Sequence, residues 1–149
     1  MTEAYTGRRW VTQTLRLTAP YFPASEVEFP VEPVASVTEV TYLDTAGAEQ
    51  TVDAADYQTW LDHSPPLLLP SPSSDGWPET EVDRASAVTV EFVAGTAENE
   101  VPEMARTAIL LCLGTWDENR GDQNALVAKG LPPGAKRLLD LLSTGSYLR

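Results

Sequence analysis

Threonines and apolar residues alternate along residues 9–19, with Trp10, Thr12, Thr14, Arg16 and Thr18 on one side and Val11, Gln13, Leu15 and Leu17 on the other. A period of two in a stretch this rich in β-formers predicts a strand. Prolines at 20, 23, 30 and 33 then bracket Val27 and Phe29 and allow only a brief edge strand. Alternation returns over 36–44 through Val37, Val40 and Tyr42 or Leu43, and the turn residues of 44–47 ahead of 48–52 predict a β-hairpin. Short strands are expected over 56–61 and 67–69. The proline- and serine-rich stretch 71–78 reads as turns, with Trp77 expected to lay its ring on the sheet. Residues 87–94 form the clearest strand, with Val88, Val90 and Phe92 on one side.

After Gly95 the period changes. Pro102 suits a first helical turn, Glu100 and Glu103 suit the positive end of the helix dipole, and Met104, Ala108, Leu111, Cys112 and Thr115 fall on one stripe. A helix is predicted to run to about Asn119, where Gly121 stops it. A loop over 122–134 precedes a shorter amphipathic helix over 135–142, carrying Leu138, Leu139, Leu141 and Leu142, and a polar tail over 143–149. Residues 1–5 are too short to stand alone as a helix, although Gly7 is placed to end one. With no repeat or linker dividing the chain, these elements predict one α+β domain over 1–142: an antiparallel β region, a long helix and a shorter one.

The 149 residues suffice for such a domain, and 42% hydrophobic with 21% charged is ordinary globular composition. The net charge of −12 is unevenly placed. Three basic residues face one acidic over 1–20 (+2), one faces sixteen over 21–100 (−15), and six face five over 101–149 (+1). An acidic surface of this kind repels nucleic acid and anionic membranes. The longest apolar run, residues 108–113, is far short of the roughly 20 residues a membrane helix needs, and the amino terminus carries no signal-peptide pattern. Cys112 is the only cysteine and reads as a small buried hydrophobe in a chain made in a reducing cytosol.

Candidate chemistry is sparse. His63, the only histidine, has no second histidine or thiol pair to complete a metal site and is expected in an exposed loop. Glu79, Glu81 and Asp83 at spacing two read as one solvated face, and no calcium-loop, phosphate-loop, dinucleotide or serine-hydrolase signature is present. Catalytic, metal and cofactor residues are accordingly expected to be none. Arg8, Arg9 and Trp10 are expected to serve packing and ion pairing in preference to nucleic-acid stacking. The run 114–120 places Trp116, two carboxylates, Asn119 and Arg120 on a helix's last turn. It reads either as a packed helix end or as an intersubunit contact, where Trp and Arg are favoured.

The ordered segments Tyr5-Thr6-Gly7-Arg8-Arg9-Trp10, Val34-Ala35-Ser36-Val37 continuing to Asp44, Ala87-Val88-Thr89-Val90 continuing to Gly95, Val101-Pro102, Trp116-Asp117-Glu118-Asn119-Arg120 and Leu131-Pro132-Pro133-Gly134 together resemble the head-tail connector (adaptor, head-completion) family of tailed bacteriophages. The resemblance spans about Tyr5 to Leu142. It implies a non-catalytic virion protein, made in the host cytoplasm, that forms a homo-oligomeric ring of about twelve copies in the neck. Its implied partners are the portal protein and tail or head-completion proteins, with DNA passing transiently and no membrane. The family usually opens with two helices before the Thr-Gly-Arg segment, whereas residues 1–5 alone precede it here, so those helices are expected to be missing. The near-neutral ends then offer Trp116, Asn119, Arg120, Arg137, Tyr147 and Arg149 as subunit or portal contacts, while a carboxylate-lined bore lets DNA slide. The alternative is a monomeric β-rich module binding carbohydrate or protein through loop aromatics such as Trp60 and Trp77.

Overall fold

The computed structural model describes residues 2–97, 100–118 and 130–143. Among the described residues seven strands and three helices follow one another as α1 (Thr2–Thr6), β1 (Gln13–Ala19), β2 (Val27–Glu28), β3 (Val34–Leu43), β4 (Glu49–Thr51), β5 (Tyr57–Trp60), β6 (Leu67–Pro70), β7 (Val88–Ala94), α2 (Glu103–Glu118) and α3 (Pro133–Leu142). The α+β expectation is met. The strands form two antiparallel sheets, ordered β1-β7-β3-β4 and β2-β6-β5.

The two sheets share one core. Val88, Val90, Phe92 and Ala94 alternate inward along the central strand β7 and pack with Val27, Phe29 and Leu68 from the smaller sheet and its border. The Phe29 and Phe92 rings lie 4.7 Å apart at 58°, a tilted arrangement that suits their quadrupoles. Along β3 the inward residues Val34, Val37 and Val40 are three apart, not two. Bulges between Val34 and Ser36 and between Val37 and Glu39 each add a residue, so these valines stay opposite Ala94, Phe92 and Val90.

The first strand is shorter than its alternation suggests. It begins at Gln13, and Trp10 is buried while Val11 is exposed, the reverse of a continued strand. The chain leaves the ladder because β7 ends at Gly95, whose φ of 113° belongs to glycine. A Cβ there would stand 2.2 Å from the Val11 carbonyl oxygen, so the backbones cross where a side chain would block them. At the hairpin tip Asp44 Oδ1 accepts from the amides of Ala46 and Ala48, and Oδ2 accepts from Gln50 Nε2. These donors hold the Asp44 carboxyl below the ordinary aspartate range, the Gln50 bond contributing most.

The helices form a second, smaller cluster. Ala108 and Cys112 of α2 meet Ala135 and Leu139 of α3, with Tyr5, Leu131 and Leu138 at the margin. Pro133 opens α3 two residues earlier than periodicity alone predicts, because proline fits a first helical turn. Helix α1 occupies the short amino-terminal segment where no standing helix is expected. Gly7, with φ of 72°, returns its amide to the Glu3 carbonyl at 3.0 Å, and the Tyr5 hydroxyl donates to Asp140 of α3. That carboxylate, more than burial, holds the Tyr5 phenol above its ordinary value. Tertiary contact thus supplies what five residues cannot.

Candidate functional site

Helix α2 is apolar on most of its circumference. The five consecutive positions Ile109, Leu110, Leu111, Cys112 and Leu113 step around a helix by about 100° each and cannot all face one neighbour. Burial follows Ala105, Ala108 and Cys112. Ala108 and Cys112 therefore lie on the expected stripe with Thr115 half-buried beside them, whereas Met104 and Leu111 are exposed. The reason is the size of the neighbour: α3 has ten residues and meets α2 through Ala135 and Leu139, which cover only a narrow strip. Burial pushes the Cys112 thiol up, in keeping with a packing role.

What α3 leaves uncovered is large. Leu110 is 67% exposed, Leu113 50% and Leu141 75%, with Met104, Leu111 and Trp116 also at the surface. Single exposed leucines are ordinary, but this many on one helix pair make a patch of the kind that marks an interface. Of the contact residues expected from sequence, Trp116 stands on the last turn of α2 and is partly exposed. Arg137 is exposed on α3, four residues before Leu141 and so on the same outer face. Asn119, Arg120, Tyr147 and Arg149 lie outside the described residues. Trp116 and Arg137 stand on different helices that meet through other side chains, and the leucines, not these two, dominate the surface. Their signal in the sequence was the unbroken apolar run, which reads as burial until the size of α3 is known.

Residues 6–10 join this helical region to the sheets. Arg8 Nε donates to the Leu142 carbonyl at 2.7 Å, at the carboxy-terminal end of α3 where a cation is favoured, and its guanidinium lies 3.7 Å from Glu32. Glu32 also accepts from Ser64 Oγ at 2.7 Å, and its carbonyl accepts from the Arg9 amide at 2.8 Å. Trp10 is buried, with its amide donating to Glu3 at 2.7 Å. The packing and ion pairing expected of Arg8 and Trp10 are therefore present, and the Trp10 ring offers no open stacking surface.

The β region presents the acid. None of the described carboxylates between residues 21 and 100 is buried. Glu39 and Glu91 face each other across β3 and β7, and Arg16 pairs with Glu91 at 3.1 Å from β1. Glu79, Glu81 and Asp83 do not share an extended face as expected. The chain turns there, Asp83 has a φ of 63°, and half-buried Glu81 lies 3.6 Å from Arg84. His63 is half-buried where exposure was expected, its Nδ1 2.7 Å from the Pro65 carbonyl and its ring 4.6 Å from Trp60. Trp60 is exposed, but Trp77 stacks on Phe22 at 4.6 Å and 4°, as expected of a ring laid on the sheet. The aromatic pair of a β-rich binding module is thus half committed to the core.

No protein-family model matches the sequence, and no curated protein matches it. Solved structures do. The chain resembles one in "Neck of native GTA particle computed with C12 symmetry", at 23% identity and a TM-score of 0.75, covering 95% of this chain and 75% of that one. Equivalent likenesses are to "Virion of native gene transfer agent (GTA) particle", at 23% identity, TM-score 0.75 and 70% of that chain, and to "Neck of empty GTA particle computed with C6 symmetry", at 23%, 0.74 and 70%. The arrangement of two antiparallel sheets followed by two packed helices is therefore a fold shared with chains of gene transfer agent particles.

Proposed function

We propose that this chain is a structural, non-catalytic neck protein that assembles into a ring of about twelve copies between a portal and the tail or next neck ring, leaving a passage for DNA. The observation that carries the reading is the apolar surface of α2 and α3, open in the single chain and set on a fold that recurs in particle necks. A ring contact is heterologous, so each copy presents two different patches, and the apolar helices supply candidates for both. The surface carboxylates of the β region give the bore a charge that does not hold phosphates. On this reading residues 1–142 act as one connector-like domain, and Trp116, Asn119, Arg120, Arg137, Tyr147 and Arg149 contribute to contacts between copies or with the portal.

Imaging of particles at the portal vertex, with native mass spectrometry of the purified protein, tests the proposal. A closed ring of about twelve subunits docked on a portal is expected. A chain absent from particles and monomeric at every concentration overturns it. Deleting residues 143–149 is expected to weaken portal docking without unfolding the domain, since this polar segment brings little apolar surface; particles assembled normally by the deletion would refute a docking role.

A further inference from the structure

Four of the five large exposed apolar residues of α2 fall on two separate flanks, with Trp116 on neither. Leu110 and Leu113, three apart, share one side, and Met104 and Leu111, seven apart, share another. At about 100° per residue the centres of these flanks lie about 140° apart around the axis, and the strip of Ala108 and Cys112 covered by α3 lies on the opposite arc, nearer the Met104 and Leu111 flank, where Leu111 borders Gly134 at the start of α3. Two contacts on one member of a closed twelve-membered ring point about 150° apart, because each copy turns by about 30° relative to the last. We propose that α2 stands along the ring axis between the α2 helices of two neighbours, so that Leu111 of one copy seats between Leu110 and Leu113 of the next. This deepens, and rests on, the ring reading above.

Three observations favour a second copy of this chain as the occupant. Cyclic symmetry keeps equivalent residues at one height, and Leu111 stands at a height between Leu110 and Leu113 on the opposite flank. Residues 21–100, which hold most of the β region, carry −15 and repel their own copies, whereas the helical part, near neutral over 101–149, allows close approach. The shared fold also occurs in a neck with twelvefold symmetry. The same placement turns the side between the flanks toward the bore. That side carries Glu103, Thr107 and Glu118, all exposed, while α3 faces outward.

Oxidative cross-linking of assembled protein tests the pairing. Leu111→Cys and Leu113→Cys are each expected to give no covalent dimer alone, because equivalent residues on neighbouring helices stand about 8–10 Å apart, beyond disulfide reach. The two variants mixed should give a covalent dimer, and one chain carrying both should give a ladder of higher oligomers. Within one copy the two side chains point to opposite sides of α2 and cannot join. Buried Cys112 is the built-in control in wild-type protein, which should give no cross-link. Dimers from either single variant would reveal a two-fold contact and overturn the proposal; so would absence of the mixed dimer from rings that imaging finds intact, which leaves the ring reading standing. Absence of any ring brings down the ring reading itself. Should the cysteine variants fold poorly, Leu110→Glu with Leu113→Glu on the open flank decides: a folded monomer with an unchanged melting curve and no rings is expected, and normal rings would overturn the proposal.

Discussion

The β region encloses its largest side chains, with Phe29, Phe92 and Leu68 all but sealed between two sheets, whereas the helical region buries three alanines, a cysteine and a leucine and turns Leu110, Leu111, Leu113 and Leu141 outward. The charges divide the same way. Carboxylates cover the sheets, and the helices are near neutral. An enclosed core like that of the sheets serves stability, whereas apolar side chains gathered at a surface are of the kind that marks an interaction site.

Substitution at the two cores gives the strongest way to break this contrast. Phe92→Ala is expected to lower unfolding stability by about 4 kcal/mol in urea titrations, because the tight packing around that ring leaves a cavity that cannot collapse. Leu139→Ala should cost about 3 kcal/mol locally, read as faster amide exchange in α2 and α3 with the β7 amides unchanged. Equal acceleration in β7 would mean that the two regions unfold as one unit, and the contrast would then describe surfaces only. Arg8→Ala, which removes the donor to the Leu142 carbonyl, should cost about 1 kcal/mol and loosen α3 first. A change confined to β6 would instead place the weight of Arg8 on its Glu32 side.

The smallest effect concerns the hairpin tip and depends on pH. Asp44 has a lowered pKa in the folded chain, so its contribution is present above the unfolded value of about 3.9 and is lost as pH falls through the folded one. Melting curves of wild type and Asp44→Ala should therefore differ at neutral pH and converge in acid, and a gap that persists at low pH would remove the carboxylate from the explanation.

Most of the β region was legible along the chain because period-two alternation survives wherever one face is buried, as at Val88, Val90 and Phe92. It failed at two kinds of place. Between residues 9 and 12 alternation continued past the end of pairing, since only the approach of Gly95 to Val11 in space stops the ladder there. In β3 the bulges changed the inward spacing without any break in composition. The turn at 81–83 and the half-burial of His63 likewise follow from what folds over them, not from their neighbours in sequence.

The surface of α2 divides the two sources of information most sharply. Sequence alone determined that a helix follows Pro102 and runs to about Asn119, that it is largely apolar, that Cys112 is buried and that the chain's acidity lies in its middle, because propensity, period and charge are local properties. Which leucines are covered was decided only in three dimensions. A helix that is apolar nearly all round can be a core element or an assembly element, and the difference lies in the size of what packs on it. Here that is the ten-residue α3, whose Ala135 and Leu139 cover one narrow strip and leave Leu110 and Leu113 exposed.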